Sequence, residues 1–392
     1  MLQYIFIILL VCLCIVDNIR LVKRKDLPNS YMVHLQGLLL FHMAMVLVFS
    51  YYIGKEGGDS KGYWELTGPL AHPNPDSWWD YFGVGYPFMY WLNYIPSKVL
   101  SWSWWTGNMI YGLVGYYGFR FLSNIVFLHY TNGPKLRGLP IALALLYLPN
   151  LHFWTAGVGK EAICFWAMAA LLFALSKKYS PKYLALALFA LLIVFMVRTY
   201  LAAIIVIALI LLIVFDFRLL SKNQKSIFIF ALLLLGLSLP AFYWYSGIKD
   251  MPTFNPYDIS KHQIEMLSGE GIGSSVPMLD YSQPMRLITY WFRPFIWESG
   301  GSFMIGAAAA ENAITMILLI FFLLKAQWRT WRKIPLFIRF ALVLFVFSSL
   351  LYANSLGNMG IMMRMKAPYM LLLILSIVWM YKDKTKETSL RS

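Results

Sequence analysis

Residues 183–215 read YLALALFALLIVFMVRTYLAAIIVIALILLIVF, an apolar run that is interrupted only by Arg198, Thr199 and Tyr200. At a rise of about 1.5 Å per residue, one helix over this run would be about 50 Å long. The hydrocarbon core of a bilayer is only about 30 Å thick. The run therefore predicts two membrane spans, with the polar triplet as a tight turn between them on the outer side.

The whole chain has the composition of a membrane protein. It is 60% hydrophobic and 13% charged, whereas a soluble domain is about 25% charged. Apolar runs of similar length recur along the 392 residues, and they are continuous rather than alternating, which excludes an outer-membrane β-barrel. We predict an all-α, polytopic integral membrane protein whose single transmembrane domain, 1–392, contains about 11 transmembrane helices.

The predicted spans follow the apolar runs. They cover residues 2–16, 32–53, 103–128, 138–150, 161–176, the two halves of 183–215, 227–246, 302–324, 334–353 and 367–381. The third span contains Gly107, Gly112, Gly115 and Gly118, which predicts close approach to a neighbouring helix.

Charge sets the predicted orientation. The net charge is +15, but the basic residues cluster in short loops between spans, so the positive-inside bias explains them without a nucleic-acid partner. This bias places the N-terminus outside. The first apolar run has its basic residues after it and no cleavage site, so we predict a retained span rather than a signal peptide. Cys12, Cys14 and Cys164 lie in apolar runs and indicate neither a disulfide framework nor a metal site.

Two long segments, 54–101 and 247–300, then face outward. The first is rich in tryptophan and tyrosine, including Trp78 and Trp79. Aromatic rings of this kind concentrate at the membrane–water interface, so we predict interfacial helices in this segment. Trp78 and Trp79 are candidates for this interfacial position.

Two carboxylates open the first outer segment. Residues 57–65 read GGDSKGYWE and follow the second apolar run directly, which places Asp59 and Glu65 at the outer surface. A carboxylate there can act as general base for an acceptor hydroxyl, or hold a divalent cation against a diphosphate. Asp59 is the candidate for both roles, and Glu65 is the second catalytic candidate. The alternative is that both are solvated loop acids.

Cationic side chains gather on the same predicted side. They are Lys160, Arg198, Arg286, Arg293 and Arg364. Guanidinium groups bind phosphate oxygens bidentately, and a lysine at a helix N-terminus can contact an anion together with the exposed N–H groups. The alternative is that these side chains extend to lipid headgroups.

Three further features carry weaker signals. Residues 154–161 read WTAGVGKE, but this segment lacks the complete phosphate-loop pattern and follows no strand, so we exclude ATP binding. His152 in the preceding turn is a candidate base or substrate ligand, although no two histidines have the spacing of a zinc site. Glu311 lies inside the ninth predicted span, where we favour a hydrogen-bonded packing role over proton coupling.

Several of these motifs resemble known families. The Gly57-Gly58-Asp59 element with Tyr63 resembles the acidic motif of GT-C-type glycosyltransferases, which use polyprenyl-phosphate-linked donors. Residues 148–155 with 159–161, 292–295 with Glu311-Asn312, and 358–364 are similar to exopolysaccharide-type membrane proteins near the Wzy-type O-antigen polymerases. The segment 247–300 is the candidate for the large late loop of those polymerases, and single-sugar transfer and block polymerisation both stay open.

The resemblance implies an enzyme of surface polysaccharide assembly in the bacterial cytoplasmic membrane. It would transfer a sugar or oligosaccharide from an undecaprenyl-(di)phosphate carrier to a hydroxyl of a glycan acceptor on the outer face. In that role Asp59 and Glu65 are catalytic, while Tyr63, Lys160, the arginines, His152 and the two tryptophans contact substrate. The alternatives are a transporter or flippase for lipid-linked glycan and, third, an O-acyltransferase.

Overall fold

The computed structural model describes residues 2–68, 71, 77–130, 135–177, 180–216, 222–245, 255–268, 274–298, 300, 303–326 and 333–381. Most of these residues are helical, which confirms the predicted all-α class. A small antiparallel hairpin pairs β1 (Lys135–Leu136) with β2 (Leu139–Pro140). Parts of both predicted outer segments, 69–70, 72–76, 247–254, 269–273 and 299, lie outside the described residues.

The helices of the N-terminal half are α1 (Leu2–Arg24), α2 (Asn29–Glu56), α3 (Asp59–Glu65), α4 (Tyr86–Tyr94), α5 (Trp104–His129), α6 (Pro149–Trp154), α7 (Lys160–Leu175) and α8 (Pro181–Val197). Those that follow are α9 (Thr199–Asp216), α10 (Lys222–Tyr245), α11 (Pro256–Ser268), α12 (Gln283–Phe292), α13 (Phe303–Lys325), α14 (Leu336–Ala353) and α15 (Met359–Met380). Short 3-10 helices cover Trp78–Tyr81, Ile141–Tyr147, Met278–Asp280 and Ile296–Glu298, and a π-helical turn covers Ile95–Val99.

Five helices in the described part of the chain are long and apolar enough to cross a membrane. They are α1, α2, Met304–Lys325 of α13, α14 and α15. Pro181–Val197, Thr199–Leu212 and Lys225–Leu234 are shorter apolar helices. These lengths identify a membrane protein, and the predicted break in the apolar run 183–215 is confirmed, because α8 ends at Val197 and α9 begins at Thr199.

One predicted boundary near the N-terminus is wrong. The first span was expected to end at residue 16, but α1 continues to Arg24 because its polar residues find partners on α5. Asp17 forms a 2.7 Å salt bridge with Arg120, and the Asn18 amide donates to the Tyr116 hydroxyl at 2.6 Å. With these partners, the two polar side chains do not stop the helix.

The fourth predicted span, 138–150, is not a continuous α-helix. This stretch contains β2, the 3-10 helix Ile141–Tyr147 and the start of α6. Pro140 and Pro149 stand at either end of the 3-10 segment, and neither can donate the backbone hydrogen bond that a continuous helix needs.

The last predicted outer loop, 354–366, also differs. The Asn358 side chain accepts a hydrogen bond from the Ile361 N–H at 3.1 Å and caps α15. Capping of this kind starts a helix, so Arg364 and Lys366 lie within α15 rather than in a loop.

The chain forms two compact units, Met1–Ala202 with Ser221–Ile227, and Ala203–Leu220 with Phe228–Ser392. In the first unit, α5 packs between α2 and α7 through its glycines. A Cβ at Gly112 would overlap Val46, and one at Gly118 would lie 2.8 Å from the Phe165 ring. The predicted close approach at this helix is confirmed. One transmembrane domain over 1–392 stays a prediction.

In the second unit, α12 packs against α14 and α15. The Trp291 indole donates to Ser349 Oγ at 2.8 Å, and the hydroxyls of Tyr352 and Tyr369 lie 3.4 Å apart. Aromatic side chains with satisfied polar groups form this part of the core.

Candidate functional site

The Asp59 carboxylate stands at the first residue of α3, directly after a sharp turn from α2. Gly57 and Gly58 make this turn with φ values of 86° and 141°, which glycine adopts without strain. The Ser60 hydroxyl accepts a hydrogen bond from the Trp104 indole at 2.9 Å. These contacts fix α3 against the start of α5, and the Asp59 side chain remains exposed.

A second tight turn presents Lys160 at the first residue of α7. The Val158 N–H donates to Asn108 Oδ1 at 2.9 Å, and the Asn108 amide donates to Ser50 Oγ at 2.9 Å. A Cβ at Gly157 would overlap the Phe49 ring, so the turn approaches α2 more closely than a larger residue allows. The N-terminus of α7 is therefore held in place by buried hydrogen bonds from α5.

Arg198 is held where α8 ends. Its Nη2 donates to Glu161 Oε1 at 2.7 Å, and the two side chains are 10% and 12% exposed. The guanidinium also lies 5.8 Å from the Tyr200 ring centroid. This salt bridge joins the end of α8 to the beginning of α7.

Lys160 points into an aromatic environment. Its Nζ lies 3.7 Å from the ring centroid of Tyr86 and 5.8 Å from that of Tyr63. The lysine is only 8% exposed. Within the described residues its amino group donates no hydrogen bond and forms no ion pair, so the ring faces are the partners of the ammonium.

Four charged side chains, Asp59, Lys160, Glu161 and Arg198, form what we call the charged cluster. Burial lowers the pKa of Lys160 to about 8, and Arg198 acts in the same direction, while Glu161, Cys164 and Asp59 oppose the shift. Burial likewise raises the pKa of Tyr63, with Tyr86, Glu161 and Asp59 adding to the effect. Tyr63 therefore stays a neutral hydrogen-bond donor beside these charges.

Of the predicted site residues, the structure brings Asp59, Tyr63, Lys160 and Arg198 together. Glu65 ends α3, is exposed, and makes no hydrogen bond or ion pair with the rest of the described chain. Its predicted catalytic role gains no support from this geometry.

Trp78 and Trp79 lie on the short helix Trp78–Tyr81. The Trp78 indole donates to the Trp91 carbonyl at 2.7 Å, and the two rings stack 4.6 Å apart. Trp79 packs at the edge of this pair and is 63% exposed. An exposed ring next to a fixed stacked pair is suited to contact lipid or a sugar face.

His152 is engaged inside the first unit. Its Nε2 lies 2.6 Å from the Leu146 carbonyl, its Nδ1 lies 2.8 Å from His42 Nδ1, and its ring stacks on Phe119 at 3.7 Å. The side chain is fully buried. Both nitrogens thus serve internal contacts, which favours a structural role.

Arg286 and Arg293 belong to the second unit, where both have internal partners. Arg286 donates to the carbonyls of Tyr281 and Leu279 and to Asn354 Oδ1. Arg293 forms a salt bridge with Glu298. These contacts hold the loops around α12, and Arg364 lies on α15 of the same unit.

The buried Lys366 of α15 caps the end of α12. Its Nζ donates to the Trp291 carbonyl at 2.9 Å and to the Arg293 carbonyl at 2.6 Å. The charge of Glu311 also acts on this lysine.

Sequence inspection missed Glu161 and Tyr86. Glu161 follows Lys160 directly in the sequence, but its carboxylate pairs with Arg198. An arginine enclosed between two apolar helices needs a carboxylate nearby, and this requirement could have pointed to Glu161. Tyr86 carries no local signal, because its contact with Lys160 depends on the fold.

A divalent cation was predicted as a candidate at Asp59. Among the described residues, no group of three or more His, Cys, Asp or Glu side chains is arranged to hold a metal ion. A Mg²⁺ at Asp59 would therefore take most of its ligands from water or phosphate, as this ion commonly does.

Comparisons of the chain with protein-family models, with curated proteins and with solved structures find no significant match.

Proposed function

We propose that the protein is a membrane glycosyltransferase or glycan polymerase of the bacterial cytoplasmic membrane. It would transfer a sugar or oligosaccharide from an undecaprenyl-(di)phosphate carrier to a hydroxyl acceptor on the outer face, in a chain of about 11 spans with its N-terminus outside. The observation that supports this proposal is the charged cluster, in which Arg198 pairs with Glu161 and the adjacent Lys160 faces the rings of Tyr86 and Tyr63.

The cluster has the parts that phosphate binding requires. Lys160 offers three N–H donors that no described residue occupies, at the N-terminus of α7. Arg198 supplies a planar guanidinium fixed by Glu161 at 2.7 Å. A carrier phosphate contacting both would be held at the rim of α7 and α8, where a lipid tail can stay in the membrane.

The same arrangement accounts for a transfer step. Asp59 accepts the proton of the acceptor hydroxyl, whose oxygen attacks the anomeric carbon of the donor sugar. The bond between that carbon and the phosphate oxygen breaks, and the carrier phosphate leaves with the electron pair. Lys160 and Arg198 stabilise the charge that develops on the leaving phosphate, and Tyr63 donates a hydrogen bond from its neutral hydroxyl.

Residues outside the charged cluster are given roles by the exposure of their side chains and by the unit to which they belong. Trp79, which is 63% exposed, would contact the prenyl tail or a sugar ring. We assign phosphate binding to Lys160 and Arg198 because they belong to the same unit as Asp59, whereas Arg286 and Arg293 belong to the second unit.

The test is transfer by the purified protein in vesicles that contain an undecaprenyl-diphosphate-linked glycan. Asp59→Asn should abolish transfer and leave donor binding intact, because the amide cannot accept the hydroxyl proton. Glu56→Gln is the control, since Glu56 is an exposed acid at the end of α2. Full transfer by the Asp59→Asn variant would refute the role of Asp59 as base.

A flippase for lipid-linked glycan is the second candidate. The observation that favours it is the charge interaction between Glu311 and the buried Lys366, because ionisable pairs inside membrane helices occur in proton relays. This alternative would be supported if the protein had no transfer activity and if Glu311→Gln stopped the translocation of the lipid.

A further inference from the structure

Tyr86 is the closest described partner of the Lys160 ammonium. The centroid of its ring lies 3.7 Å from Nζ, whereas Tyr63 lies 5.8 Å away. Attraction between a cation and an aromatic face strengthens when water is excluded. At 8% exposure, Lys160 meets that condition.

The Tyr86 ring is itself fixed relative to the charged cluster. Tyr86 is the first residue of α4, and the N–H of Gly85 donates to the Met196 carbonyl at 2.8 Å. Met196 stands two positions before Arg198 in the chain, at the end of α8. This backbone bond therefore ties the ring to the segment that presents Arg198.

A second contact holds the ring from the side of α3. The rings of Tyr63 and Tyr86 lie 5.4 Å apart and pack against each other at a tilt of 33°. The Tyr63 carbonyl accepts from the Asn93 amide at 3.0 Å, and Asn93 Oδ1 accepts from the Tyr111 hydroxyl at 2.9 Å. The ring is thus braced by α3, α4 and α5.

We infer that Tyr86 is a positioning residue, which holds the ammonium of Lys160 against its ring so that the N–H donors stay directed at a carrier phosphate. An aromatic face attracts the charge without accepting a conventional hydrogen bond, so the donors remain for phosphate oxygens. Without the ring, the flexible lysine side chain would pair with Glu161 or Asp59, and this ion pair would neutralise its charge within the charged cluster. This inference rests on the proposed phosphate-binding role of Lys160.

The test varies the ring without changing its shape. Phenylalanine and then mono-, di- and trifluorinated phenylalanines are placed at position 86, and binding of undecaprenyl phosphate in nanodiscs is measured. Fluorine withdraws electron density from the ring face, so affinity should fall stepwise, by roughly 2- to 30-fold over the series. Tyr86→Phe itself should bind nearly as well as the native protein, because it keeps the ring.

The same series in a Lys160→Met background is the control. Fluorination should have no effect there, since no cation faces the ring. Equal affinity across the fluorinated series in the native background would overturn the inference, as would a fluorine effect that persists without Lys160.

The outcome also separates this inference from the proposed function. If Lys160→Met binds undecaprenyl phosphate as tightly as the native protein, the phosphate-binding role of Lys160 fails. If Lys160→Met weakens binding and the fluorinated series is flat, only the role of Tyr86 fails.

Discussion

Glu161 and Arg198 form a salt bridge of 2.7 Å between Oε1 and Nη2, with both side chains nearly buried. Charged pairs at such sites lose much of their hydration, and the attraction between them only partly offsets that loss. By itself, the salt bridge is therefore weak evidence for a large contribution to the stability of the fold. Its consequence is geometric, because it fixes a guanidinium next to Lys160 at the start of α7.

Breaking this pair from one side should be costly. Glu161→Gln removes the carboxylate and leaves the Arg198 charge enclosed, so we expect the free energy of unfolding to fall by about 3 kcal/mol. Denaturant unfolding in detergent micelles measures this change.

The matched control is the pair Lys261–Glu265 on α11, whose side chains are 51% and 53% exposed at an N–O distance of 3.8 Å. Lys261→Met should change the free energy of unfolding by less than about 1 kcal/mol, because exposed pairs contribute little. Equal effects of the two substitutions would show that the Glu161–Arg198 pair is not buried.

Phosphate binding should weaken at alkaline pH. Burial lowers the pKa of Lys160 to about 8, so the side chain is charged below that pH and neutral above it. The affinity for undecaprenyl phosphate should therefore decrease as pH rises through 8. Titrations in nanodiscs between about pH 7 and pH 9.5 measure the dependence.

Lys160→Arg is the control for this pH dependence, because a guanidinium remains protonated throughout the range. Its affinity should vary less with pH than that of the native protein. A native affinity that is constant across the range would contradict the assignment of the titrating group.

Close packing of α5 makes a separate prediction. A Cβ at Gly112 would overlap Val46 of α2, so Gly112→Ala should lower the free energy of unfolding by about 1–3 kcal/mol. At Gly236 of α10, no described atom lies within 4 Å of an added Cβ. Gly236→Ala should be neutral or stabilising, since alanine favours helix. Equal destabilisation by both would contradict the close contact between α2 and α5.

Sequence patterns predicted the elements whose determinants are local. The break at Arg198 follows from the length of the apolar run, and the glycines of α5 follow from their spacing. The continuation of α1 past residue 16 could not be predicted in this way, because the partners of Asp17 and Asn18 lie about a hundred positions later in the chain. The break of the predicted span 138–150 into shorter elements could have been predicted, because the sequence contains Pro140 and Pro149.

In the candidate site, too, the sequence identifies some residues, but it does not show the contacts that depend on packing. Asp59, Lys160 and Arg198 were identifiable because polar groups at the ends of apolar helices are conspicuous. The partner of Arg198 and the ring that faces Lys160 were not, because both contacts depend on how α4, α7 and α8 pack. The burial of His152 against Phe119 and His42 was hidden for the same reason.

The most direct measurement of the central claim is the affinity of the native protein and of Lys160→Met for undecaprenyl phosphate in nanodiscs. Charge-assisted hydrogen bonds of this kind contribute about 1.5–3 kcal/mol, so Lys160→Met should bind about 10- to 100-fold more weakly. Lys55→Met, at an exposed lysine near the end of α2, should bind like the native protein. If Lys160→Met and the native protein bind equally well, the charged cluster is not a phosphate site.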